Sequence, residues 1–410
     1  MTLIFKRIAD YEQLGIGLFI HWGLYSQLEV GEWTELIHQR KKEKYEHLRN
    51  SFTASQFHPR QVVQCAKSLG AKYIVLTAKH HEGFFLYDTK GLSSFDALHS
   101  PAKRDLIREF VNACNEENIK PFIYIATYDW HSKLYEKDFN KYLQYLKKSV
   151  EVLCKYYGKI SGFWFDGNWN KKQANWHLDE LYGMIRHYQP DAIIINNTGL
   201  KNRGKISNPE IDAVTYERGC PQKVNHNNQE KYISGEMSLT LNNHWGIATN
   251  DLDYKSPREI IESIAHARQI GANILINIGL TGNGEIPELC KNYLKLIGKW
   301  VKMTKNILYY GKATDIKATS PKDFALKMND SFYLFVFNLR IRGNENVVLG
   351  GEKVSSRTFL NFHKRVEKVS WLDNNEELMF HQNLKENSLT VAATGFDYGT
   401  DWIVRVAKVI

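Results

Sequence analysis

No two cysteines in this sequence are spaced as CxxC. The five present, Cys65, Cys114, Cys154, Cys220 and Cys290, are odd in number and widely separated. Neither a disulfide framework nor a thiolate zinc site is indicated. Three of them fall in apolar helical patterns, where a reduced cysteine is an ordinary small core residue. Long apolar runs are also missing, since no stretch approaches the roughly 18 apolar residues needed to span a bilayer. No membrane partner is therefore expected. The opening MTLIFKRIADYEQLG has no apolar run followed by a small-residue cleavage site. These absences predict a soluble, cytoplasmic protein, with secretion after removal of a leader left open. No GxGxxG follows the first apolar segment, which removes the main signature of a dinucleotide fold. Basic stripes are lacking too. The net charge is +9, but Lys and Arg are interleaved with Asp and Glu along the whole chain. Short clusters such as Arg40-Lys41-Lys42 and Lys147-Lys148 read as solvated helix faces, and no nucleic acid partner is expected.

What is present is apolar and aromatic. A hydrophobic fraction of 43% and an aromatic fraction of 13% are enough to fill large cores, so the chain is not disordered. Its 410 residues exceed the usual size of one core, which makes two domains the natural expectation. Ten Trp and 22 Tyr supply flat amphipathic side chains. These suit stacking on sugars and equally suit the filling of cores.

From residue 15 to about 280, short apolar strands alternate with amphipathic helices. Strands are expected at 17–20, 73–78, 121–126, 161–165, 192–195 and 273–278. Helical patterns cover 59–69, 104–118, 140–157, 179–188 and 257–270, and a helix around 291–305 closes the series. The strands are nearly continuous in Val, Ile, Leu and Phe, as in a parallel sheet buried on both faces. Such alternation fits a doubly wound sheet or a (β/α)8-type barrel. The barrel is favoured because polar residues stand at strand ends: His21, His80, Tyr124, Asp166, Asn196 and Asn277. A barrel gathers those ends around one pit. After about residue 312 the pattern changes to short alternating segments at 331–339, 346–349, 366–372, 388–393 and 401–409, separated by turns. A β-sandwich is expected there. The expected division is a (β/α)8-like catalytic barrel over 1–312 and a C-terminal β-sandwich over 313–410.

Three motifs carry chemistry. Gly17-Leu18-Phe19-Ile20-His21-Trp22-Gly23 is a buried strand ending in His-Trp. His80-His81-Glu82-Gly83-Phe84 follows another apolar strand. Phe163-Trp164-Phe165-Asp166-Gly167 presents a carboxylate at a strand end, before a glycine that permits close approach. Taken singly, each has a plain structural reading: a strand-end His caps a loop, and a lone Asp is an ordinary loop residue. His80 and His81 would point to opposite sides of an extended strand, and no third ligand is locally spaced, so no metal is expected. The combination is harder to dismiss, because three His, several Trp and one Asp occupy equivalent places in successive β-α units.

Together with Asn273-Ile274-Leu275-Ile276-Asn277-Ile278-Gly279 and Gly282-Asn283-Gly284-Glu285-Ile286-Pro287, these motifs resemble the family 29 α-L-fucosidases from residue 12 to about 312. The resemblance implies a barrel followed by a β-sandwich and exo-hydrolysis of terminal α-L-fucosyl linkages with retention of configuration. It implies no cofactor and, as partner, a fucosylated oligosaccharide or glycoconjugate. The oligomeric state stays open. The family's nucleophile maps onto Asp166. For the acid/base, Glu217 in Ile211-Asp212-Ala213-Val214-Thr215-Tyr216-Glu217 is preferred. The alternative is Glu236 in Gly235-Glu236-Met237-Ser238, which is read as structural or ligand-orienting. The same matching assigns substrate contacts to His21, Glu32, Trp33, His80, His81, Tyr124, Trp164, Glu236 and Trp245. Fucose offers three hydroxyls for imidazoles and a carboxylate, and an apolar methyl for aromatics. The sequence departs from the family in two places. Asn196-Asn197-Thr198-Gly199 stands where some members place an arginine, and Leu280 stands where Pro is expected. Two rival readings remain at this point: a catalytically silent fucose-binding barrel, and a metal-dependent deacetylase using His80 and His81.

Overall fold

A computed structural model describes residues 3–224, 230–349 and 354–410. Eight parallel strands close into a barrel in chain order: β1 (Ile16–His21), β2 (Tyr73–Lys79), β3 (Lys120–Ala126), β4 (Gly162–Asp166), β5 (Ile193–Asn197), β6 (Ala213–Glu217), β7 (Ser234–Thr240) and β8 (Asn273–Gly279). β8 pairs with β1, with His21 opposite Gly279, so no strand edge is left open. Six of these strands coincide with the apolar runs visible in the sequence. β6 and β7 are the two that the apolar criterion missed. β7 reads Ser234-Gly235-Glu236-Met237-Ser238-Leu239-Thr240, and every residue of it is buried. Its alternation is that of a strand with one polar face, and here the polar face lies inside the barrel.

The barrel interior is filled by side chains, which makes it a packed core and not a pore. Tyr11, Tyr73, Phe122, Tyr124, Trp164, Ile195 and Leu275 belong to one buried cluster. Large rings are matched by small neighbours. A Cβ on Gly162 would lie 2.2 Å from the ring of Phe122, and one on Gly17 would lie 2.4 Å from the ring of Tyr73. Glycine at these two strand positions makes room for the rings beside them.

The helices follow local signals. Pro59–Leu69 starts with proline at its first turn and ends at Gly70 with φ 89, the asymmetry expected of helix ends. Leu106–Glu116 is capped by Asp105, whose side chain accepts from the Arg108 amide at 3.0 Å. Phe139–Tyr156 is capped in the same way by Asp138. Among the described residues no helix is long and apolar enough to cross a membrane.

The chain divides into two compact units. One comprises Met1–Lys255 and Asn273–Lys295, the other Ser256–Ala272 and Leu296–Ile410. The second carries the C-terminal β-sandwich. One of its sheets joins β10 (Lys317–Ala318), β13 (Val354–Leu360), β16 (Ser388–Thr394) and β15 (Phe380–Asn383). The other joins β14 (Val369–Trp371), β17 (Val404–Val409), β12 (Ser331–Phe337), β11 (Phe324–Met328) and β9 (Lys312–Ala313). Leu334, Phe359, Phe362, Trp371 and Leu389 fill its core. The segment 346–349, expected to be a strand, is instead a turn, with Leu349 96% exposed. Of its short apolar run only Val348 is buried, while Val347 and Leu349 face outward.

Candidate active site

The carboxyl ends of the barrel strands open into a cavity of about 530 Å3. Because side chains alternate along a strand, residues of one parity line it: Phe19 and His21 of β1, Tyr124 of β3, Trp164 and Asp166 of β4, Asn197 of β5 and Glu217 of β6. Loop residues Glu32, Trp33, His80, Trp169, Arg218 and Trp245 complete the wall. The β5 residue that reaches the cavity is Asn197, paired in register with Asp166. Asn196, the strand-end residue picked out in the sequence, points the other way.

Asp166 is held by its neighbours. Gly167, with φ 115, follows it because a Cβ there would meet the Tyr128 amide nitrogen at 2.5 Å. Oδ2 accepts from the Tyr124 hydroxyl at 2.9 Å and lies 3.3 Å from His81 Nε2. Oδ1 accepts from Trp169 Nε1 at 2.8 Å and from Asn197 Nδ2 at 3.1 Å. Burial pushes the carboxyl up, but the hydrogen bond and charge of His81, with the Trp169 and Tyr124 donors, outweigh it. The carboxyl is held below the usual carboxylate range.

Glu217 is shifted the other way. Burial and the negative charge of Asp166 raise it, and these outweigh the donors Asn197 and Trp245 and the charge of Arg218. The same Asn197 nitrogen that bonds Asp166 donates to Glu217 Oε2 at 2.8 Å. Two bonds to one nitrogen limit the separation of those carboxylate oxygens to about 6 Å.

His21 lies deeper. Burial lowers it to about 3, so the ring is neutral. The Asn277 amide donates to the Trp245 carbonyl at 2.7 Å, which turns its oxygen toward His21 Nδ1, also at 2.7 Å. Nδ1 therefore carries the proton and Nε2 is left as an acceptor, suited to a sugar hydroxyl. Burial likewise holds His80 well below its usual value. β2 ends at Lys79, so the tandem histidines leave the extended strand and their ring centres lie 4.6 Å apart. His80 lines the cavity, while His81 gives Nδ1–H to the Tyr128 carbonyl at 2.9 Å and turns Nε2 to Asp166. Among the described residues no group of three or more His, Cys, Asp or Glu is placed to hold a metal.

Glu32 ties the loop after β1 to the loop after β7, accepting from the Trp245 and Gly246 amides at 3.0 and 2.8 Å. Trp33 packs against His81 and Trp130, with ring centres 5.0 Å away in each case. The cavity thus brings together Asp166, Glu217, His21, Glu32, Trp33, His80, Tyr124, Trp164 and Trp245, with His81 against the nucleophile candidate. Glu236 needs correction as a sugar contact. It is fully buried below the cavity, where Tyr11 (2.5 Å), Tyr73 (2.6 Å) and Trp164 Nε1 (2.8 Å) occupy its two oxygens. Trp169, Asn197 and Arg218 were not singled out in the sequence. Asn197 was masked by its neighbour Asn196, and Trp169 stands in a loop without periodicity.

The α-L-fucosidase family model matches residues 6–306. An α-L-fucosidase of Branchiostoma floridae is 25% identical over 391 residues, covering 88% of this chain and 85% of that protein. The plasma α-L-fucosidase of Rattus norvegicus is 26% identical over 331 residues, covering 73% and 70%. Among solved structures, α-L-fucosidase isoenzyme 1 from Paenibacillus thiaminolyticus superposes with a TM-score of 0.84 at 28% identity, covering 98% of both chains. A Bacteroides thetaiotaomicron GH29 α-L-fucosidase, solved as a covalent intermediate trapped with 2-fluoro-fucosyl fluoride, gives 0.82 at 23% identity, covering 100% of this chain and 97% of that one. A match across nearly three-quarters of the chain, centred on a strand-end carboxylate pit, settles the classification: the chain belongs to the α-L-fucosidase family of glycoside hydrolases, family 29.

Proposed function

We propose that this chain releases terminal α-L-fucose with retention of configuration, using Asp166 as nucleophile and Glu217 as acid/base. Asp166 attacks C1 while Glu217 protonates the leaving oxygen. The fucosyl ester on Asp166 is then hydrolysed by a water that Glu217 deprotonates. Retaining glycosidases place these groups about 5–5.5 Å apart, and inverting ones about 6.5–9.5 Å apart. The observation that carries the reading is the single Asn197 nitrogen bonded to both carboxylates. It favours the shorter spacing. The opposed shifts support the same assignment: Asp166 is kept ionised and Glu217 is biased toward its protonated form. The covalent adduct in the Bacteroides relative fits this chemistry.

The sugar itself would be held by the neutral imidazoles of His21 and His80 and by Glu32, with Phe19, Trp33 and Trp245 covering its methyl and ring. A fucosylated oligosaccharide or glycoconjugate is the substrate class. The test is leaving-group dependence. Glu217→Ala is expected to slow fucosides with poor leaving groups by about 10²–10⁴-fold and those with good leaving groups far less. That pattern in Glu236→Ala, and its absence in Glu217→Ala, would move the acid/base role to Glu236.

A further inference from the structure

A second cavity, of about 660 Å3, lies between the loops that follow β4 and β5. It shares Trp169, Lys172, Asn197, Thr198 and Asn202 with the catalytic cavity, so the two adjoin along these residues. Trp169 forms the partition: its nitrogen is fixed by Asp166, and Gly199 sits so close that a Cβ there would be 3.2 Å from the indole. The exposed members of the catalytic lining are Lys172, Leu200, Lys201 and Arg218, and the first three stand on the loops after β4 and β5 that border the second cavity. A substituent on the bound sugar that leaves on the Lys172, Leu200 and Lys201 side passes toward the second cavity.

The chemistry of that exit is amide-rich and positive. Asn168, Asn175, Asn196, Asn202 and Asn208 line the second cavity beside Trp176. Nearby lysines are neutralised: Lys171 pairs with Glu136 at 3.0 Å and Lys147 with Glu180 at 3.2 Å. Lys172, Lys201 and Lys205 have no ion-pair partner among the described residues. The two acids of the second cavity are already engaged. Asp179 accepts from Asn208 at 2.7 Å, and Glu180 is shared by Lys147 and His177.

Resting on the fucosidase reading, we infer that the leaving-group side of this site receives an acidic glycan. The sugar beyond the fucosyl bond passes Lys172 and Asn202 into the cavity between the two loops, and its sulfate ester or carboxylate is met by Lys172, Lys201 and Lys205. Lysines distributed over the two adjoining cavities, Lys201 in the first, Lys205 in the second and Lys172 in both, attract an anion strongly only while salt is low, since the Debye length falls from about 30 Å at 0.01 M to about 3 Å at 1 M.

The test uses fucosylated disaccharides matched in linkage. One pair differs only by a sulfate ester on the leaving sugar, and another by a uronic acid in place of the neutral sugar. The ratio of kcat/KM, acidic over neutral, is expected to be about tenfold or more at 0.01 M ionic strength and to approach one at 1 M. In the Lys172→Ala/Lys201→Ala/Lys205→Ala variant the low-salt ratio should fall to near one. The readout is the ratio within each protein, so a general loss of activity does not imitate the result. A preference in either pair that the triple variant loses supports the inference. Equal kcat/KM in both pairs at low salt overturns it, and so does a preference that survives the triple substitution. Turnover of none of the disaccharides would instead overturn the fucosidase reading itself.

Discussion

At the scale of single residues, the site is a set of donors aimed at one carboxylate. Tyr124, Trp169, Asn197 and His81 all face Asp166. Hydrogen bonds to a charged group are worth about 1.5–3 kcal/mol. Trp169→Phe keeps the ring and removes one such donor, so kcat/KM should fall on the order of 10–100-fold. Losing a donor to the ionised form also raises Asp166, which moves the acidic limb of the pH–rate profile to higher pH. An unchanged acidic limb would mean that Trp169 serves the aromatic wall alone. Asp166 and His21 were legible in the sequence because each ends an apolar strand and the barrel brings strand ends together, whereas Glu217 ends β6, a strand the apolar criterion missed, and was reached only through the family resemblance. The partners that tune them were not legible, since a loop tryptophan and one of two adjacent asparagines carry no periodic signal.

At the scale of elements, β7 shows why the apolar pattern under-reads a barrel. Ser234, Glu236, Ser238 and Thr240 are buried on the strand's polar face, and Glu236 is matched by donors from three other segments of the chain. Burial raises Glu236, and the Tyr11, Tyr73 and Trp164 donors only partly offset that. Such complementarity is invisible to any single-strand criterion. The converse failure is 346–349, where an apolar run signals a strand but the chain turns, burying Val348 and leaving Val347 and Leu349 exposed. Packing between strands sets a further constraint. Gly162→Ala would put a methyl 2.2 Å from the Phe122 ring, and overpacking of this kind costs about 1–3 kcal/mol. Urea unfolding should show a lower midpoint, with the free energy of unfolding reduced by about 1–3 kcal/mol. An unchanged midpoint would mean that Phe122 can move aside.

At the scale of the whole molecule, buried ionisable groups set how stability varies with pH. Burial raises Glu82 to about 8 against the Tyr45 and Leu24 donors, and raises Glu35 to about 7. A raised carboxyl contributes stability that is complete below its unfolded value of 4.5 and is lost as pH climbs through the folded value. His21, lowered from 6.5 to about 3, acts in the opposite sense: its contribution is present above 6.5 and lost as pH falls toward 3. Thermal stability should therefore peak between pH 4.5 and 6.5. Glu82→Gln should flatten the decline above that window, whereas an equally steep decline would assign it to other groups.

The account as a whole stands on Asp166 forming a covalent bond to the sugar. Incubation with 2-fluoro-fucosyl fluoride, followed by proteolysis and mass spectrometry, tests this directly. The account predicts one fucosyl label per chain, carried by the peptide containing Asp166 and absent from Asp166→Asn. A label on another carboxylate, or none in protein that hydrolyses aryl fucosides, would contradict it.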